Sequence, residues 1–394
     1  MRTQVGIIGA GPAGLLLSQL LASQGIDSVV LEVRDRDYVE HRVRAGVLEH
    51  GTVQTLREAG VADRLDAEGL VHEGLNIRFG ARTHRLDLHD LTGRGVTVYG
   101  QQEVVKDLIA ARLTAGGDVR FGAADVTVHD IGGPRPRITF VQDGHPDEVR
   151  CDFVVGADGF HGICRGLIAG RTEFERSYPY AWLGILARTP PSCPEVIYAR
   201  HPNGFALHSM RSPQVTRLYL QVAPDEDLAA WPDDRVWAEL QVRLGDDEGF
   251  TLSEGPVLDK NITPMRSFVA TPMQRERLFL VGDAAHIVPP TGAKGMNLAV
   301  ADVRLLAHAL GGHYAAGRAD LLAGYTEAAS RRVWRATHFS WWMTSMLHKS
   351  PEGDLFDDRL AETQLDWVAS SRSMATALAE NYTGLPYEQG WSYR

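Results

Sequence analysis

The chain has 394 residues, of which 44% are hydrophobic and 23% charged, and its formal net charge at pH 7 is -10. This length predicts two connected domains, and the acidic balance argues against a general affinity for nucleic acid or for an anionic membrane. The three cysteines, Cys151, Cys164 and Cys193, form no CxxC pair and have no metal-ligand spacing, so we expect a reducing cytoplasm and no metal site. The sequence shows neither a leader pattern nor a run of ~20 apolar residues, so we expect no export and no membrane insertion.

The first 32 residues have the pattern of a nucleotide-binding half-domain. An apolar strand is predicted over residues 4–8, the turn GAGPAG occupies 9–14, a helix follows over 15–23, and a second strand covers 28–32. These segments form a βαβ unit of about thirty residues, the length expected for one half of a dinucleotide-binding fold.

The middle of the chain changes from mixed to mainly antiparallel patterns. Residues 35–67 are largely helical, short strands are predicted over 76–79, 83–88 and 96–99, and a helix covers 102–113. Glycine turns at 132–134 and 143–144 indicate hairpins between 119 and 153. Alternating segments at 196–200, 205–209 and 217–222, with one helix over 233–244, predict an antiparallel sheet.

The last third returns to the first domain and then becomes helical. Apolar strands over 153–155 and 278–281 run into GADGFHG at 156–162 and GDAAH at 282–286, and helices are predicted from 296 onward. We therefore predict an α/β fold with a Rossmann-like domain, a mainly antiparallel β-sheet domain and a helical C-terminal region. The expected ranges are 1–175 completed by 268–300 for the first domain, 176–267 for the second, and 301–394 for the helical region.

The glycine turn predicts a pyrophosphate site. Gly9 permits the sharp turn after the strand, Gly11 lets the backbone approach a phosphate, and Gly14 lets the helix pack against the sheet. Glu32 ends the second strand, where a carboxylate can accept hydrogen bonds from a ribose. The alternative is a glycine-rich turn without a ligand, and the motif alone does not separate a dehydrogenase from a flavoprotein.

Two acidic residues separate those classes. Asp158 in GADGFHG and Asp283 in GDAAH each follow an apolar strand. Either carboxylate could serve only to cap a helix, but both in this order behind GxGxxG are far more specific.

With these motifs the sequence resembles the flavoprotein aromatic hydroxylases, whose fingerprints are GxGxxG, DG and GD, and within them the members that hydroxylate 4-hydroxybenzoate. The resemblance covers essentially the whole chain, through RVRAGVLE at 42–49, LVHEG at 70–74, VTVYGQ at 96–101, AAHIVPPTGAKGMNLA at 284–299, FSWWMTS at 339–345 and ENYTGLPYE at 380–388. It implies FAD as cofactor, NADH or NADPH as reductant, O₂ as co-substrate and a homodimer that uses the C-terminal helices. In this family a C4a-hydroperoxyflavin hydroxylates the ring carbon next to a phenolate, and the site must exclude water during that step.

The resemblance also assigns the cofactor contacts. The loop after GDAAH opens a helix, whose positive end would stabilise negative charge on the reduced ring, with Asn297 hydrogen-bonding the ring edge. Arg217 matches a residue that biases movement of the ring. The implied cofactor contacts are Gly9, Gly11, Gly14, Glu32, Arg42, Arg44, Gln101, Asp158, Arg217, Asp283, Thr291, Gly292, Ala293, Lys294, Gly295, Met296 and Asn297.

The substrate contacts follow from the same resemblance. Ser209, Arg211 and Tyr219 would bind the carboxylate of a small aromatic acid, with Arg211 in a bidentate pair that lysine could not reproduce. Taken alone, an arginine on a strand is more often a solvated surface charge. At the other end of the ring, the expected relay takes the phenol proton from the substrate along a set of three residues, and the backbone carbonyl of Pro290 contacts the phenol. The relay residues are Tyr198, Tyr382 and, through water, His72.

Nicotinamide choice is the point where the resemblance is weakest. The segment Val33-Arg34-Asp35-Arg36-Asp37 offers two arginines that could hold a 2′-phosphate and two aspartates that would repel it, so we lean towards NADH or dual use. The residues expected near the nicotinamide nucleotide are Val33, Arg34, Tyr38, His161 and Arg266, with Arg42 beside them.

Other classes explain the motifs less well. A simple nicotinamide dehydrogenase has no use for GDAAH, a flavin disulfide reductase needs a redox-active cysteine pair, and a non-catalytic module would not need Glu32, Asp283 and the whole Tyr198, Arg211 and Tyr382 set. A hydroxylase of another aromatic acid, such as 3-hydroxybenzoate or an aminobenzoate, stays open because one pocket substitution changes preference by only a few kcal/mol.

Overall fold

The computed structural model describes residues 1–42 and 46–387. Its strands are β1 Val5–Ile8, β2 Ser28–Glu32, β3 Val47–Leu48, β4 Leu70–His72, β5 Gly74–Phe79, β6 Arg82–Asp87, β7 Val96–Val98, β8 Asp118–Phe121, β9 Ala124–His129, β10 Arg137–Gln142, β11 His145–Arg150, β12 Phe153–Gly156, β13 Thr172–Ala187, β14 Ile197–Ala199, β15 Ala206–Ser212, β16 Val215–Val222, β17 Val257–Thr271, β18 Gln274–Arg275, β19 Leu278–Leu280 and β20 His286–Ile287. Its α-helices are α1 Pro12–Ala22, α2 Arg36–His41, α3 His50–Glu58, α4 Asp63–Glu68, α5 Leu88–Thr92, α6 Gln101–Thr114, α7 Asp233–Leu244, α8 Gly295–Ala316, α9 Ala319–Ala323, α10 Tyr325–Leu347, α11 Leu355–Ser370 and α12 Arg372–Thr383.

A six-stranded sheet carries the nucleotide motifs. Its strand order is β18-β19-β12-β1-β2-β8, and all neighbours are parallel except β18 and β19. The central strand β1 is buried along its whole length, as expected for an apolar strand covered by helices on both faces. Because β1, β2, β12 and β19 are parallel, their carboxyl ends meet at one edge, and ligands of such sheets bind there. The predicted βαβ unit is confirmed.

An eight-stranded sheet forms the second layer, with the order β20-β17-β13-β16-β15-β14-β5-β6. Its pairs are antiparallel apart from β14 with β5, in agreement with the predicted antiparallel pattern. Strands β5 and β6 come from residues 74–87, inside the range expected for the first domain, so the chain that builds this sheet is not the single segment 176–267. β5 joins this sheet because it pairs in parallel with β14. A local sequence pattern does not reveal a pairing between segments so far apart in the chain.

The two faces of this sheet pack differently. On one face, Ala206 and Leu218 lie in a core with Trp237 of α7. On the other face, Tyr198 and Leu207 lie in a core with residues of α10, α11 and α12. Since side chains alternate along a strand, Ser209 also points towards the space under the C-terminal helices, and Arg211 lies at the β-bulge that follows.

Two three-stranded sheets complete the β-structure. The β9–β10–β11 sheet contains the predicted hairpin at Asp143-Gly144, whose two positive φ angles of 52° and 78° are those of a primed two-residue turn. The β3–β7–β4 sheet places His72 opposite Val96. This small sheet therefore brings the expected end of the proton relay next to the core that holds Tyr382.

The C-terminal helices are held on the sheet by a buried histidine. The indole Nε1 of Trp182 donates to His348 Nε2 at 2.7 Å, and His348 Nδ1 lies 3.0 Å from the Thr344 carbonyl oxygen. Burial lowers the pKa of His348 to about 3, so the ring is neutral, with its proton on Nδ1. Next to it, Arg200 pairs with Asp358 of α11 at 2.6 Å.

The predicted fold class, with its helical C-terminal region, is confirmed. Within residues 1–42 and 46–387, no helix is both long and apolar enough to cross a bilayer.

Candidate functional site

The turn between β1 and α1 leaves room for a ligand at the helix N-terminus. Gly9 has a φ of +106°, and a Cβ there would lie 2.3 Å from the carbonyl oxygen of Ala157. A Cβ on Gly14 would lie 2.0 Å from the Gly9 oxygen, whereas one on Gly11 would meet no atom within 4 Å. Gly9 and Gly14 are therefore required by packing, and Gly11 opens the space where backbone N–H groups and the helix dipole attract a phosphate.

Glu32 closes one side of this space. Its Oε2 accepts the Ala10 N–H at 2.8 Å, and its Oε1 accepts the Arg34 N–H at 2.9 Å. These bonds fix the half-buried carboxylate beside the glycine turn, where each oxygen keeps a lone pair for a ribose hydroxyl.

Asp158 closes another side. Its Oδ2 accepts the N–H of Cys164 at 2.9 Å, and its buried Oδ1 has no hydrogen-bond partner in the described parts of the chain. Because an unsatisfied buried oxygen is unfavourable, this atom indicates a donor that a bound ligand or a water would supply.

The third acidic residue, Asp283, is exposed at the end of β19. The preceding Gly282 has a φ of +62°, and a Cβ there would lie 3.1 Å from the Cβ of Ala299 and 3.6 Å from that of Ala13. Gly282 thus packs between α8 and α1 and places Asp283 near the N-terminus of α1. The three fingerprints GxGxxG, DG and GD therefore lie at the same edge of the six-stranded sheet.

A buried ion pair holds the GD turn. Asp302 Oδ2 accepts the backbone N–H of Gly282 at 2.9 Å and lies 2.5 Å from His286 Nε2. Burial opposes protonation of His286, but the charges of Asp302 and Asp283 prevail, and the pKa of His286 is raised. This ion pair fixes the backbone on both sides of Asp283. The sequence resemblance did not predict the ion pair.

The loop 290–297 is packed against α10. The hydroxyl of Thr344 donates to Thr291 Oγ1 at 2.9 Å, and a Cβ on Gly292 would lie 2.8 Å from Ser340 Oγ. Ala293 has the left-handed φ of +53°, and its N–H donates to the Pro290 oxygen at 2.9 Å. That carbonyl can still accept a second hydrogen bond, as its expected contact with a substrate phenol requires.

The loop ends at the N-terminus of α8. A Cβ on Gly295 would meet no atom within 4 Å, and Met296 packs partly into the core. The open space at Gly295 and the dipole of this 22-residue helix suit negative charge on a planar ring.

The side chains of Lys294 and Asn297 form hydrogen bonds with other residues of the protein. The Lys294 amine lies 2.6 Å from Glu49 Oε1 and 3.1 Å from the Tyr382 carbonyl oxygen, and burial lowers the pKa of Lys294 against the effect of Glu49. Asn297 accepts the Glu49 N–H at 2.9 Å and donates to Val47 O at 3.0 Å and Ala293 O at 2.7 Å. Their predicted contacts with the flavin stay predictions, and the backbone of the loop is the part that faces the open space.

The proposed carboxylate pocket contains two arginines whose guanidinium nitrogens are partly buried. Arg211 and Arg217 each have buried Nε and Nη1 atoms without a hydrogen-bond partner among the residues described. Arg217 forms a long ion pair of 3.8 Å with Asp259, and its guanidinium stacks 5.0 Å from the Tyr219 ring centre. Burial lowers the pKa of Arg211, Tyr219 opposes this effect, and Arg217 adds to it. The pocket therefore has a strong electrostatic preference for an anion.

Ser209 lies next to these groups. It is buried, it is paired with Arg217 across the β15–β16 ladder, and its Oγ makes a long bond of 3.3 Å to the Met210 carbonyl oxygen. A bound carboxylate would be a better partner for this hydroxyl than that carbonyl.

The tyrosine pair of the predicted relay is present. The phenol oxygens of Tyr198 and Tyr382 lie 2.9 Å apart and both side chains are buried. Burial raises the pKa of Tyr382 to about 12, although its bond to Tyr198 opposes this, and burial raises the pKa of Tyr198 as well. Both phenols are therefore neutral at physiological pH and can pass a proton without becoming stable anions.

His72 is buried, but its contact is not with a tyrosine. Its Nε2 lies 3.1 Å from the sulfur of Met210, and burial lowers its pKa. Met210 is the residue between Ser209 and Arg211, and sequence reasoning gave it no role.

The expected nicotinamide contacts form two surface clusters. The guanidinium groups of Arg34 and Arg42 lie 5.1 Å and 5.9 Å from the ring centre of Tyr38, and Val33 beside them is 61% exposed. In the second cluster, the exposed ring of His161 and the guanidinium of Arg266 both contact Phe160, at 5.1 Å and 4.8 Å. Gln101 begins α6, and Arg44 lies outside the described residues.

Comparison with known proteins decides the family. A family model described as an FAD binding domain matches residues 2–340. The chain belongs to this FAD-binding family. The open glycine turn, the unsatisfied oxygen of Asp158 and the exposed carboxylate of Asp283 fit that cofactor.

Relatives and solved structures similar to this chain are hydroxylases and monooxygenases. The chain is 46% identical to p-hydroxybenzoate hydroxylase of Acinetobacter baylyi over 391 residues, and this alignment covers 98% of the chain and 96% of the relative. The fold is similar to that of p-nitrophenol 4-monooxygenase from Pseudomonas putida, with a TM-score of 0.82 at 19% identity over 98% of this chain and 100% of the other. It is also similar to aklavinone-11 hydroxylase, solved with FAD and aklavinone, with a TM-score of 0.75 at 22% identity over 92% and 70% of the two chains. The expected enzyme class, a flavoprotein monooxygenase with FAD as cofactor, is thereby confirmed.

We predict that the Asp302→Asn variant of this flavoprotein binds FAD about tenfold more weakly, because an uncharged amide no longer balances His286 and leaves the GD turn less firmly held. The measurement is the dissociation constant of FAD from the apoprotein, followed by flavin fluorescence. Asp320→Asn is the matched control, since Asp320 is exposed and pairs only locally with Arg318. Wild-type affinity in Asp302→Asn would show that the pair does not position the turn.

Proposed function

We propose that this enzyme hydroxylates 4-hydroxybenzoate to 3,4-dihydroxybenzoate, using a reduced nicotinamide and O₂. The observation that carries the proposal is the combination of the Arg211 guanidinium, with two buried nitrogens that lack a partner among the described residues, and a neutral phenol pair, Tyr198 and Tyr382, on the face that the C-terminal helices cover. The first suits a carboxylate and the second a phenol, and a para-substituted benzoate carries both. The relative from Acinetobacter baylyi bears the name of this activity.

The proposed contacts for the two ends of the substrate come from neighbouring strands of the eight-stranded sheet. Tyr198 of β14 pairs with Leu207 of β15, and Ser209 and Arg211 follow two and four residues along the same strand. Cross-strand partners and residues two apart in a strand share a face, so Tyr198 and Ser209 face the same side of the sheet. Arg211 follows at the β-bulge between Met210 and Ser212.

Deprotonation of the substrate phenol activates the ring. The phenol proton passes to the Tyr198 oxygen, the Tyr198 proton passes to Tyr382 at 2.9 Å, and the Tyr382 proton leaves through water to His72. Neutral phenols suit this relay because each can donate and accept at once. The resulting phenolate is the stronger nucleophile at the carbon next to its oxygen.

The bound FAD supplies reduction by the nicotinamide and activation of O₂. The chain supplies the carboxylate pocket, the relay and the dry environment. Residues 290–293 pack on α10 through Thr291 and Gly292, which closes this side of the site to water. Arg217 is buried and lies 3.8 Å from Asp259, and it would bias the position of the bound flavin by exchanging that distant partner for the ring.

We propose that the reductant is NADH or that the enzyme uses both NADH and NADPH. Arg34 and Arg42 around Tyr38 supply positive charge, whereas Asp35 caps α2 through the Tyr38 N–H and Asp37 lies near His41. The site of action we expect, a reducing cytoplasm, stays a prediction.

The test is stopped-flow reduction of the bound flavin, with NADH and NADPH in parallel, against a panel of aromatic acids. We expect 4-hydroxybenzoate to accelerate reduction most and to give 3,4-dihydroxybenzoate as product. Better coupling with 3-hydroxybenzoate or an aminobenzoate would contradict the substrate assignment. A preference for NADPH of tenfold or more in kcat/KM would contradict the proposed use of NADH or of both nucleotides.

We also propose that the enzyme is a homodimer joined through α11. This helix exposes Phe356, Leu360 and Trp367 at 67%, 51% and 55%, with spacings of four and seven that put them on one stripe. An exposed apolar stripe on a helix suits a self-complementary interface between two identical chains.

We expect the wild type to have twice the mass of one chain by light scattering and the double variant Phe356→Asp, Leu360→Asp to have the mass of one, because charges would be buried unpaired in the interface. Val242→Asp is the control, since Val242 is similarly exposed on α7. A monomeric wild type, or a dimer unaffected by the double variant, would refute this interface.

A further inference from the structure

Met210 occupies a position that the proposed mechanism leaves unused. It lies between Ser209 and Arg211 on β15, and the strand pairing with β16 shifts register directly after it. Met210 is half-buried and pairs with Thr216 across the ladder. Its sulfur lies 3.1 Å from His72 Nε2, which joins the strand that binds the carboxylate to the end of the proton relay.

The chemistry of the two groups restricts the protonation of the imidazole. A thioether sulfur has lone pairs and no proton, so it only accepts hydrogen bonds. A neutral imidazole carries a proton on one nitrogen and a lone pair on the other. Two lone pairs at 3.1 Å would repel each other, whereas an N–H directed at sulfur makes a weak hydrogen bond.

We propose that Met210 is a positioning residue that holds neutral His72 with its proton on Nε2, so that Nδ1 is the atom that receives the proton leaving Tyr382. This inference rests on the proposed relay. In the transfer, the Tyr382 O–H bond breaks, a water carries the proton on, and a new N–H bond forms at Nδ1. The product is an imidazolium whose Nε2–H still faces Met210, and it returns to neutral when Nδ1 releases its proton to solvent.

The surroundings of His72 support a neutral imidazole that can become protonated transiently. Burial lowers the pKa of His72, and the nearby carboxylate of Glu195 opposes that effect. Glu195 is itself held by Arg85 through two bonds of 2.8 Å. The other titratable ring near His72 is His208, which burial keeps neutral with a pKa of about 4.

The first test reads the tautomer directly. Long-range ¹H–¹⁵N correlation spectra of ¹⁵N-histidine-labelled holoenzyme distinguish a protonated from an unprotonated ring nitrogen, and the signals missing in His72→Gln identify His72. We expect protonated Nε2 and unprotonated Nδ1 in the wild type, and a mixture of tautomers in Met210→Leu, which keeps the volume and loses the acceptor. A wild-type ring protonated on Nδ1 would overturn the proposal, as would an unchanged tautomer in Met210→Leu.

The second test reads the relay. The rate of phenol deprotonation after binding of 4-hydroxybenzoate is followed by phenolate absorbance over a range of pH. We expect Met210→Leu to slow this step roughly 3- to 10-fold and to leave the dissociation constant of the substrate within about twofold, because only the proton acceptor is disturbed. Met273→Leu, buried against the six-stranded sheet, is the control and should match the wild type.

The two tests separate failure of this inference from failure of the proposed function. If the wild type does not hydroxylate 4-hydroxybenzoate, the function is wrong, and the spectra still decide the tautomer. If hydroxylation occurs and Met210→Leu deprotonates the substrate at the wild-type rate, Met210 does not position the acceptor.

Discussion

The site depends on a buried guanidinium that the protein does not neutralise. Two nitrogens of Arg211 are buried without a hydrogen-bond partner in the described chain, and Arg217 adds a second positive charge nearby. A buried, unpaired charge is strongly unfavourable, so the rest of the structure must hold these residues in place. The eight-stranded sheet does so from below, and the C-terminal helices cover it from above. A carboxylate in the pocket removes the penalty, and this gives aromatic acids an advantage over neutral phenols.

Two other buried charges of the site are paired, in contrast to Arg211 and Arg217. Lys294 is balanced by Glu49, and His286 by Asp302. These pairs join elements that are far apart in sequence: the first ties the flavin loop to the segment after β3, and the second ties the GD turn to α8. These two ion pairs therefore hold the loop 290–297 and the GD turn, and in our proposal the charge of Arg211 is balanced by the substrate carboxylate.

Some of the site was predictable from local sequence because its chemistry is local. Gly9, Gly11, Gly14 and Glu32 lie within 24 residues, and the end of a predicted strand fixes where each of them points. Asp158 and Asp283 were predictable for the same reason. The tyrosine pair was not, since Tyr198 and Tyr382 are 184 residues apart and only the family resemblance brought them together.

The parts that sequence reasoning missed depend on tertiary packing. The contacts of Asn297 and Lys294 with the flavin stay predictions, but sequence reasoning did not reveal that Glu49, 245 residues from Lys294, bonds to both side chains. Asp302 carried a signal, since a carboxylate within the apolar helix sequence NLAVADVRLLA needs a buried partner. Met210 carried none, because methionine in a strand usually fills space.

The central claim is that the Arg211 guanidinium binds the substrate carboxylate, and the most direct test is the dissociation constant of 4-hydroxybenzoate measured by flavin absorbance changes. Arg211→Ala should weaken binding by about 2–5 kcal/mol, because the carboxylate would be buried without its partner, and Arg211→Lys should restore only part of the loss. Arg188→Ala, an exposed arginine at the end of β13, should bind like the wild type. An unchanged dissociation constant in Arg211→Ala would contradict the account.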